Sequence, residues 1–265
     1  FAPVTDWVIR ASGGRGQRTA NIFAENSNLL SSSRLIEIQG NSTSSAYGLL
    51  PQVAWNYGAN VTHTFKLWYR KGAVSFDAYR THFTNQIVVD FVQNPQKAIF
   101  YNLQGQSFSN SLQTQIDYEL IKRLDIRIAY RWYDVQTTYN GILQQKPLLS
   151  QHRAFINFAY HTRNNWKFDY TINWQGKKSL PNLSTNPEQY QLSAESPNFV
   201  VMNAQISKTW NEKFEIYLGT ENLLNYMQQN PIIASAEPYS KYFDSSLIWG
   251  PVYGREIYGG LRYRF

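Results

Sequence analysis

The stretch NWKFDYTINWQ at residues 165–175 separates into two sets when every second residue is taken. One set is apolar and largely aromatic: Trp166, Phe168, Tyr170, Ile172 and Trp174. The other set is polar: Lys167, Asp169, Thr171, Asn173 and Gln175. A period of two indicates a β-strand, because successive side chains of a strand point to opposite faces of the sheet. The apolar side of this strand faces either a protein core or lipid.

The same period recurs along the chain in about ten segments. They lie near residues 7–12, 54–66, 73–81, 108–120, 124–136, 152–161, 165–175, 198–210, 213–221 and 255–265. Most run for about 9–14 residues, which is the length needed to cross a bilayer at a tilt and longer than the roughly 5–6 residues of globular strands. We therefore expect the apolar side to face lipid, with Trp166 and Trp174 near the two headgroup boundaries. A soluble β-sandwich or β-helix is the alternative.

The connections between these segments alternate in length. Short ones lie near 68–72, 122–125, 161–165 and 210–213, and long ones span 13–52, 85–106, 138–150, 178–197 and 222–254. Tight periplasmic turns alternating with extended extracellular loops are typical of outer-membrane barrels. The pattern predicts an all-β fold, a transmembrane antiparallel β-barrel.

The amino-acid composition agrees with this fold and argues against membrane helices, a disulfide-linked fold and a nucleic-acid-binding protein. Mean hydropathy is −0.46 and no segment approaches the roughly 20 apolar residues of a membrane helix. Aromatic residues make up 16% and cysteine is absent, so neither a disulfide framework nor a thiolate metal site is expected. The net charge is +7, but the basic residues are scattered, so no nucleic-acid partner is predicted. Many lie where they would meet anionic headgroups or a lumen. The start at FAPVTDWVIR fits a processed chain or a fragment.

The chain ends in YGGLRYRF, in which Gly260, Tyr263 and Phe265 follow the spacing Gly-x-x-aromatic-x-aromatic. This ending resembles the terminal β-signal of bacterial outer-membrane barrels. An edge strand with aromatic side chains can pair with an assembly machine before the barrel closes, so the barrel-assembly machinery is an expected partner.

Four further stretches resemble TonB-dependent outer-membrane receptors of the Bacteroidetes-like type. They are TENLLNYM (220–227), LLPQVAWNYGANVTHTF (49–65), SGGRGQRTANIFAENSNLL (12–30) and FDAYRTHFTNQIVVD (76–90). The resemblance covers essentially the whole chain. It implies about ten C-terminal strands of a larger barrel of about 22 strands around a plugged lumen.

The resemblance makes residues 1–265 the C-terminal portion of the receptor barrel, with the plug domain and the N-terminal strands absent from this chain. An open sheet of about ten strands would leave two unpaired edges in lipid, which is not viable. The remaining strands are therefore expected elsewhere. A self-contained ten-stranded barrel is the alternative.

The resemblance further implies an active-transport receptor in the outer membrane of a Gram-negative bacterium. Such receptors bind a scarce nutrient, an iron–siderophore, cobalamin or another metal chelate, and import it with energy from the TonB complex, here through segments outside this chain. Outer-membrane lipid and lipopolysaccharide are expected partners, and a surface lipoprotein is left open. Haem is not supported, because GQRTANIF and ENSNLL stand where haem receptors carry FRAP and NPxL boxes. A passive porin-like channel and a surface adhesin barrel are the alternatives.

No catalytic constellation is present, and neither an enzyme, a cofactor nor a metal site is predicted. The histidines, His63, His82, His152 and His161, have no serine and carboxylate at matching strand positions. The segment GGRG (13–16) is predicted to follow a strand and not to precede a helix, so a phosphate-binding loop is not expected here. Two neighbouring carboxylates, Asp117 and Glu119, are expected to pair with Arg127 and Arg131 on the next strand.

The substrate is expected to touch the long loops and the outer ends of the polar side. The predicted ligand contacts are Arg18, Arg80, His82, Asn85, Gln86, Tyr101 and Trp249. Clustered aromatic residues in the last long loop either bind ligand or pack the loop.

Overall fold

The computed structural model describes residues 5–19, 21–43 and 45–265. Within these residues the strands are β1 (Trp7–Arg18), β2 (Leu35–Gln39), β3 (Gln52–Leu67), β4 (Arg70–Asn85), β5 (Ile87–Asp90), β6 (Lys97–Asn102), β7 (Ser107–Ile121), β8 (Leu124–Tyr139), β9 (Ile142–Gln145), β10 (His152–His161), β11 (Trp166–Gln175), β12 (Phe199–Trp210), β13 (Phe214–Glu221) and β14 (Glu256–Tyr263). One short helix, α1, spans Ile22–Glu25, and 3-10 turns span Ser27–Ser31, Ala46–Gly48 and Glu188–Tyr190. No helix in the described residues is both long enough and apolar enough to cross a membrane.

Ten long strands form one antiparallel meander in the order β1-β3-β4-β7-β8-β10-β11-β12-β13-β14, with β9 added beside β8. Each of the ten predicted segments is one of these strands, so the predicted antiparallel β-barrel fold is confirmed as a partial barrel. One boundary was wrong: β1 extends to Arg18, so GGRG lies inside the strand and does not follow it. Ala20, in the 12–30 motif, and Ser44 lie outside the described residues.

The register aligns side chains of one kind across the whole sheet. One cross-strand row reads Ile9, Val61, Phe76, Thr114, Tyr130, Ala154, Trp174 and Val200. The row one residue away reads Arg10, Asn60, Asp77, Gln113, Arg131, Arg153 and Gln175. The sheet therefore has an apolar face and a polar face, each continuous over the paired strands.

Aromatic rings gather at both ends of the apolar face. At the end with the short turns, Trp7 stacks on His63 with ring centroids 4.2 Å apart, and Phe65 stacks on Tyr118. At the end with the long loops, Trp55 stacks on Tyr57 at 6.2 Å. Two aromatic bands flanking an aliphatic middle are the pattern of a barrel surface in contact with lipid.

The long connections carry a second, three-stranded sheet in the order β2-β6-β5, with β2 and β6 parallel. Its strands and α1 enclose a small core around Ile22, Leu29 and Phe100. On its other side, Val88 and Ile99 pack with Tyr139 from the end of β8. Tyr139 belongs to the polar face, because it follows Thr137, the partner of Ser107, by two residues. The small sheet therefore lies over the polar face at the long-loop end.

Candidate ligand-binding site

The long loops are bound to one another into a cap at one end of the barrel wall. Arg34 lies at the junction: its Nε donates to the Pro95 carbonyl at 2.8 Å and its Nη1 donates to Ser246 Oγ at 2.7 Å. Its Nη2 is 2.6 Å from Asp244 Oδ2, as an ion pair without directed hydrogen-bond geometry. Burial lowers the pKa of Arg34, and the Asp244 carboxylate opposes this effect. Three separate loops are thus joined through one buried cation.

Beneath this cap, a cavity of about 500 Å³ opens between the cap and the polar ends of the strands. Its lining includes Arg18, Glu25, Gln52, Phe83, Gln86, Val88, Tyr139 and Lys146. Here this cavity is called the mouth pocket. It combines aromatic and aliphatic walls with a few charged groups, the usual composition of a small-molecule site.

Two predicted ligand contacts, Arg18 and Gln86, line the mouth pocket. Arg18 is exposed, and its Nη2 pairs with Glu25 Oε2 at 2.8 Å while its Nε donates to Gln52 Oε1 at 3.2 Å. Gln86 Oε1 accepts a hydrogen bond from Ser107 Oγ at 2.5 Å. Within the described residues Arg18 Nη1 forms no hydrogen bond and can donate to a ligand, whereas Gln86 is partly engaged in fastening the loop.

Two further predicted contacts, Asn85 and Tyr101, are not among the residues that line the mouth pocket. Asn85 Nδ2 donates to the Pro51 carbonyl at 2.7 Å. Tyr101 is 7% exposed, and its hydroxyl donates to Asp90 Oδ2 at 2.9 Å. Burial, reinforced by the hydrogen bond to Asp90, raises the pKa of the Tyr101 phenol. Both side chains hold the loops in place through these hydrogen bonds.

The structure corrects the expected position of Arg80 and His82. Arg80 stands opposite Tyr57 and His82 stands opposite Trp55, so both belong to the apolar face and not to the outer end of the polar face. The sequence alone implies the same position. Arg80 and His82 lie two and four residues after Ala78, and residues an even number apart on a strand share a face. The mouth pocket therefore does not include them.

Trp249 lies apart from the mouth pocket, in the last long loop. Its carbonyl accepts a hydrogen bond from Lys178 Nζ, and its ring lies 6.1 Å from that of Phe199. Burial lowers the pKa of Lys178, and the positive charge of Arg153 adds to this effect. The sequence does not predict that Lys178 lies close to Arg153, because Lys178 is in a loop whose residues follow no periodic pattern.

Arg131 and Arg153 form a second feature that was not predicted. They are direct cross-strand partners on the polar face. Arg131 donates to Gln113 Oε1 through both Nε and Nη2, and within the described residues neither arginine forms an ion pair. Adjacent like charges are unfavourable unless an anion or solvent compensates them. This position could have been predicted from the sequence. Both arginines lie an odd number of residues from the apolar residues of their own strands, so they point to the opposite, polar face.

The expected carboxylate–arginine pairs are partly confirmed. Asp117 Oδ1 pairs with Arg127 Nε at 2.5 Å across β7 and β8. The Glu119 carboxylate forms no ion pair with an arginine of β8 among the described residues, and Glu119 Oε1 lies instead 3.6 Å from Arg70 Nη1 on β4. Asp117, Glu119 and Arg127 line a cavity of about 970 Å³ at the short-turn end of the polar face. A cavity lined by five neighbouring strands shows that the polar face is the concave one.

At the end of the chain, the proposed assembly signal has a packing basis. A Cβ atom added to Gly260 would lie 2.3 Å from the Tyr217 hydroxyl, so only glycine leaves room for that ring. Tyr263 stands opposite Phe214 on the apolar face, and its ring meets that of Phe265 at 5.2 Å. The role of these residues in assembly remains a prediction.

No group of three or more metal-ligating side chains occurs in the described residues. His152 Nδ1 is instead 2.6 Å from the Tyr130 hydroxyl, and His63 is stacked on Trp7.

Comparison with a family model described as TonB dependent receptor-like, beta-barrel gives a match over residues 1–223. No match is found among curated protein sequences. Several solved structures share the fold. The ferric-catecholate import receptor Fiu from E. coli K12 superimposes with a TM-score of 0.65 at 12% identity, over 100% of this chain and 34% of that one.

The second structure, FpvA of P. aeruginosa bound to a pyoverdine, gives a TM-score of 0.63 at 11% identity, over 99% of this chain and 31% of that one. The third, the FrpB iron transporter from Neisseria meningitidis, gives 0.60 at 14% identity, over 100% of this chain and 37% of that one. The chain thus spans about a third of the length of these proteins.

Proposed function

This chain belongs to the TonB-dependent receptor-like β-barrel family, and we propose that it forms the C-terminal part of a receptor that imports a small metal chelate across the outer membrane of a Gram-negative bacterium. In this proposal the cargo is an iron–siderophore, cobalamin or a similar chelate. Residues 1–265 supply barrel wall and extracellular loops. The plug, the remaining strands and the TonB contact come from outside this chain.

The observation that carries the proposal is the mouth pocket on the polar face. Its volume of about 500 Å³ suits one small molecule. Arg18 and Lys146 offer positive charge at its rim, while Phe83 offers flat apolar surface. Such a site favours a planar, anionic or polar ligand over a free hydrated ion.

The cation cluster deeper in the wall supports passage of an anionic cargo. Arg131 and Arg153 stand side by side on the polar face with no carboxylate partner among the described residues, and Lys178 adds a third positive charge nearby. We infer that these groups attract the bound chelate toward the lumen, or meet acidic groups of the plug. The other predicted contacts would affect ligand binding indirectly, by holding the loops in their conformation; they are Asn85, Gln86, Tyr101 and Trp249.

Uptake and binding by the complete receptor test this proposal. Deleting the gene should abolish growth on one limiting iron or cobalamin source, and growth should also require TonB. Replacing Arg18 and Lys146 by Gln should raise the Kd for that cargo about tenfold, because two charge-assisted contacts are lost. The matched control is Arg10→Gln, on the same strand and the same face as Arg18 but toward the short-turn end.

Two outcomes would overturn the proposal. A large, steady single-channel conductance of the complete protein would indicate a passive porin-like channel. Undiminished uptake of all tested chelates in the deletion strain, combined with lost surface attachment, would indicate an adhesin barrel. Enzymatic turnover is not expected from this family.

A further inference from the structure

The short turn between β3 and β4 consists of two aromatic residues, Trp68 and Tyr69. Leu67 pairs directly with Arg70, so these two residues are the whole loop of the hairpin. Their φ angles are 47° and 62°, as the two central residues of a type I′ turn require. Trp68 is 78% exposed and Tyr69 is 106% exposed, so neither ring is covered by the described residues.

Aromatic residues are an unfavourable choice for this backbone. A positive φ is a strained conformation for a bulky side chain, and a turn of this type favours Asn-Gly. The same chain has the favoured sequence in another two-residue hairpin loop, Asn140–Gly141 between β8 and β9, where φ is 47° and 78°. Strain that packing does not offset indicates a functional role for the rings of Trp68 and Tyr69.

Three basic residues flank the two rings in the segment KLWYRK. Lys66 and Lys71 are direct cross-strand partners, and both are exposed. Within the described residues neither lysine forms an ion pair, and Arg70 has a single, long contact of 3.6 Å with Glu119. Like charges directly opposite each other are unfavourable unless an anion compensates them. Here residues 66–71 are called the basic aromatic turn.

The two lysines point away from the lipid. Lys66 lies six residues after Asn60 and Lys71 six residues before Asp77, so both belong to the polar face. They line the cavity of about 970 Å³ at the short-turn end, on the concave side of the wall. A headgroup beside the barrel meets the opposite, apolar face. The anion that these lysines attract therefore approaches from the aqueous side.

The neighbouring hairpin extends the positive surface. Because β4 pairs with β7, the turn between β7 and β8 lies beside the basic aromatic turn. It carries Lys122 and Arg123 and no acidic residue, and Lys122 is exposed. Basic residues that are scattered along the sequence are thus gathered at the short-turn end. A surface of this kind attracts an extended anionic partner.

We propose that the basic aromatic turn binds the peptide-linked glycan of the bacterial cell wall on the periplasmic side. The rings of Trp68 and Tyr69 stack on sugar rings, whose C–H groups form flat apolar surfaces, and the lysines donate to free carboxylates of the peptides. A polymer that carries both sugars and carboxylates satisfies the free rings and the free cations together. The inference rests on the outer-membrane location proposed above, and it is independent of the cargo.

Cosedimentation of the complete receptor, in detergent, with purified cell-wall sacculi tests the inference. The probes are intact sacculi and sacculi whose carboxylates have been amidated. We expect amidation to weaken binding about tenfold or more, because charge-assisted hydrogen bonds are lost. Retention of phosphatidylglycerol by the same protein, followed by native mass spectrometry, is the parallel measurement for a lipid ligand.

The double variant Trp68→Asn with Tyr69→Gly separates binding from folding. It gives the hairpin the sequence of Asn140–Gly141, which relieves the backbone strain, so the folded fraction should not fall. Binding to intact sacculi should nevertheless weaken about tenfold. A folded variant that binds as strongly as the original protein would overturn the proposal.

The charged side chains have their own pair of variants. Lys66→Gln with Lys71→Gln removes two opposed like charges and should also weaken binding to intact sacculi about tenfold. The control, Arg15→Gln with Lys241→Gln, removes the same charge from the long-loop end and should bind normally. Equal loss in the control would overturn the proposal, since it would show attraction to net charge alone.

Two further outcomes would also overturn the proposal. One is equal binding of intact and amidated sacculi. The other is a loss of phosphatidylglycerol in the turn variants with unchanged binding to sacculi, which would assign the turn to the inner leaflet. Chelate binding should stay unchanged in the turn variants, so failure here is distinct from failure of the import function.

Discussion

Arg34 and Asp244 form a buried ion pair, with 2.6 Å between Nη2 and Oδ2, although they come from the first and the last of the long loops. Their side chains are only 3% and 8% exposed. Ser246 completes the arrangement, because its amide and hydroxyl both donate to Asp244 Oδ1. The pair therefore links distant parts of the chain at the centre of the loop cap.

Replacing Asp244 by Asn should loosen the cap without unfolding the barrel wall. Removing one member of a buried pair leaves an uncompensated charge, which costs about 3–5 kcal/mol. Hydrogen exchange of the amides near residues 33–36 and 243–246 should accelerate accordingly, while the amides of β10 and β11 stay protected.

The control for that change is Arg18→Gln, which breaks the Arg18–Glu25 pair. Arg18 is 62% exposed, and surface pairs contribute about 0–1 kcal/mol, so loop exchange should hardly change. Equal exchange rates in the two variants would show that the Arg34–Asp244 pair does not hold the cap.

Tyr101→Phe should separate loop stability from ligand binding. The Tyr101 hydroxyl is one of the donors to Asp90, which is fully buried and also accepts from the Val92 amide at 2.8 Å and from Gln93. Losing a hydrogen bond to a charged group costs about 1.5–3 kcal/mol. We expect faster exchange in β5 and β6 with little change in cargo Kd. A large loss of affinity with unchanged exchange would instead indicate direct contact with the ligand.

Gly260→Val should impair barrel formation more than Gly259→Val. A Cβ at Gly260 meets the Tyr217 hydroxyl at 2.3 Å and the ring carbon that bears it at 2.5 Å, whereas the nearest atom to a Cβ at Gly259 is 3.3 Å away. Overpacking of this kind costs about 1–3 kcal/mol. The folded fraction, followed by heat-modifiable migration on gels, should fall mainly for Gly260→Val. Equal fractions for both variants would argue that the glycine acts through backbone freedom alone.

Attachment of β2 to β6 should weaken in acid. Hydrogen bonds from Gln39 and Lys97, together with the charge of Lys97, hold the pKa of Glu37 below its ordinary value of 4.5. A carboxyl group with a lowered folded pKa stabilises the fold above its unfolded pKa and loses that effect as the pH falls through the folded one. Exchange in β2 should therefore rise below about pH 4–5. Glu37→Gln should flatten this response, and an unchanged acid response in that variant would assign it to another group.

The alternation within NWKFDYTINWQ and its counterparts was enough to predict the ten strands of the wall. It also predicted the apolar face and the pairing of Asp117 with Arg127. These features are local, because a strand sends successive side chains to opposite faces whatever surrounds it. Applied strictly from Ala78, the same rule places Arg80 and His82 on the apolar face.

Tertiary structure alone decided the loop cap, the mouth pocket and the pairing of Glu119 with Arg70. Residues of the long connections, such as Arg34, Tyr101 and Asp244, follow no period, so nothing in their spacing says which of them are buried together. Their partners are set by contacts between residues far apart in the chain, and burial of a charge is tolerable only when those contacts exist. The sequence therefore determined which way each strand residue faces, and the packed loops determined which residues meet.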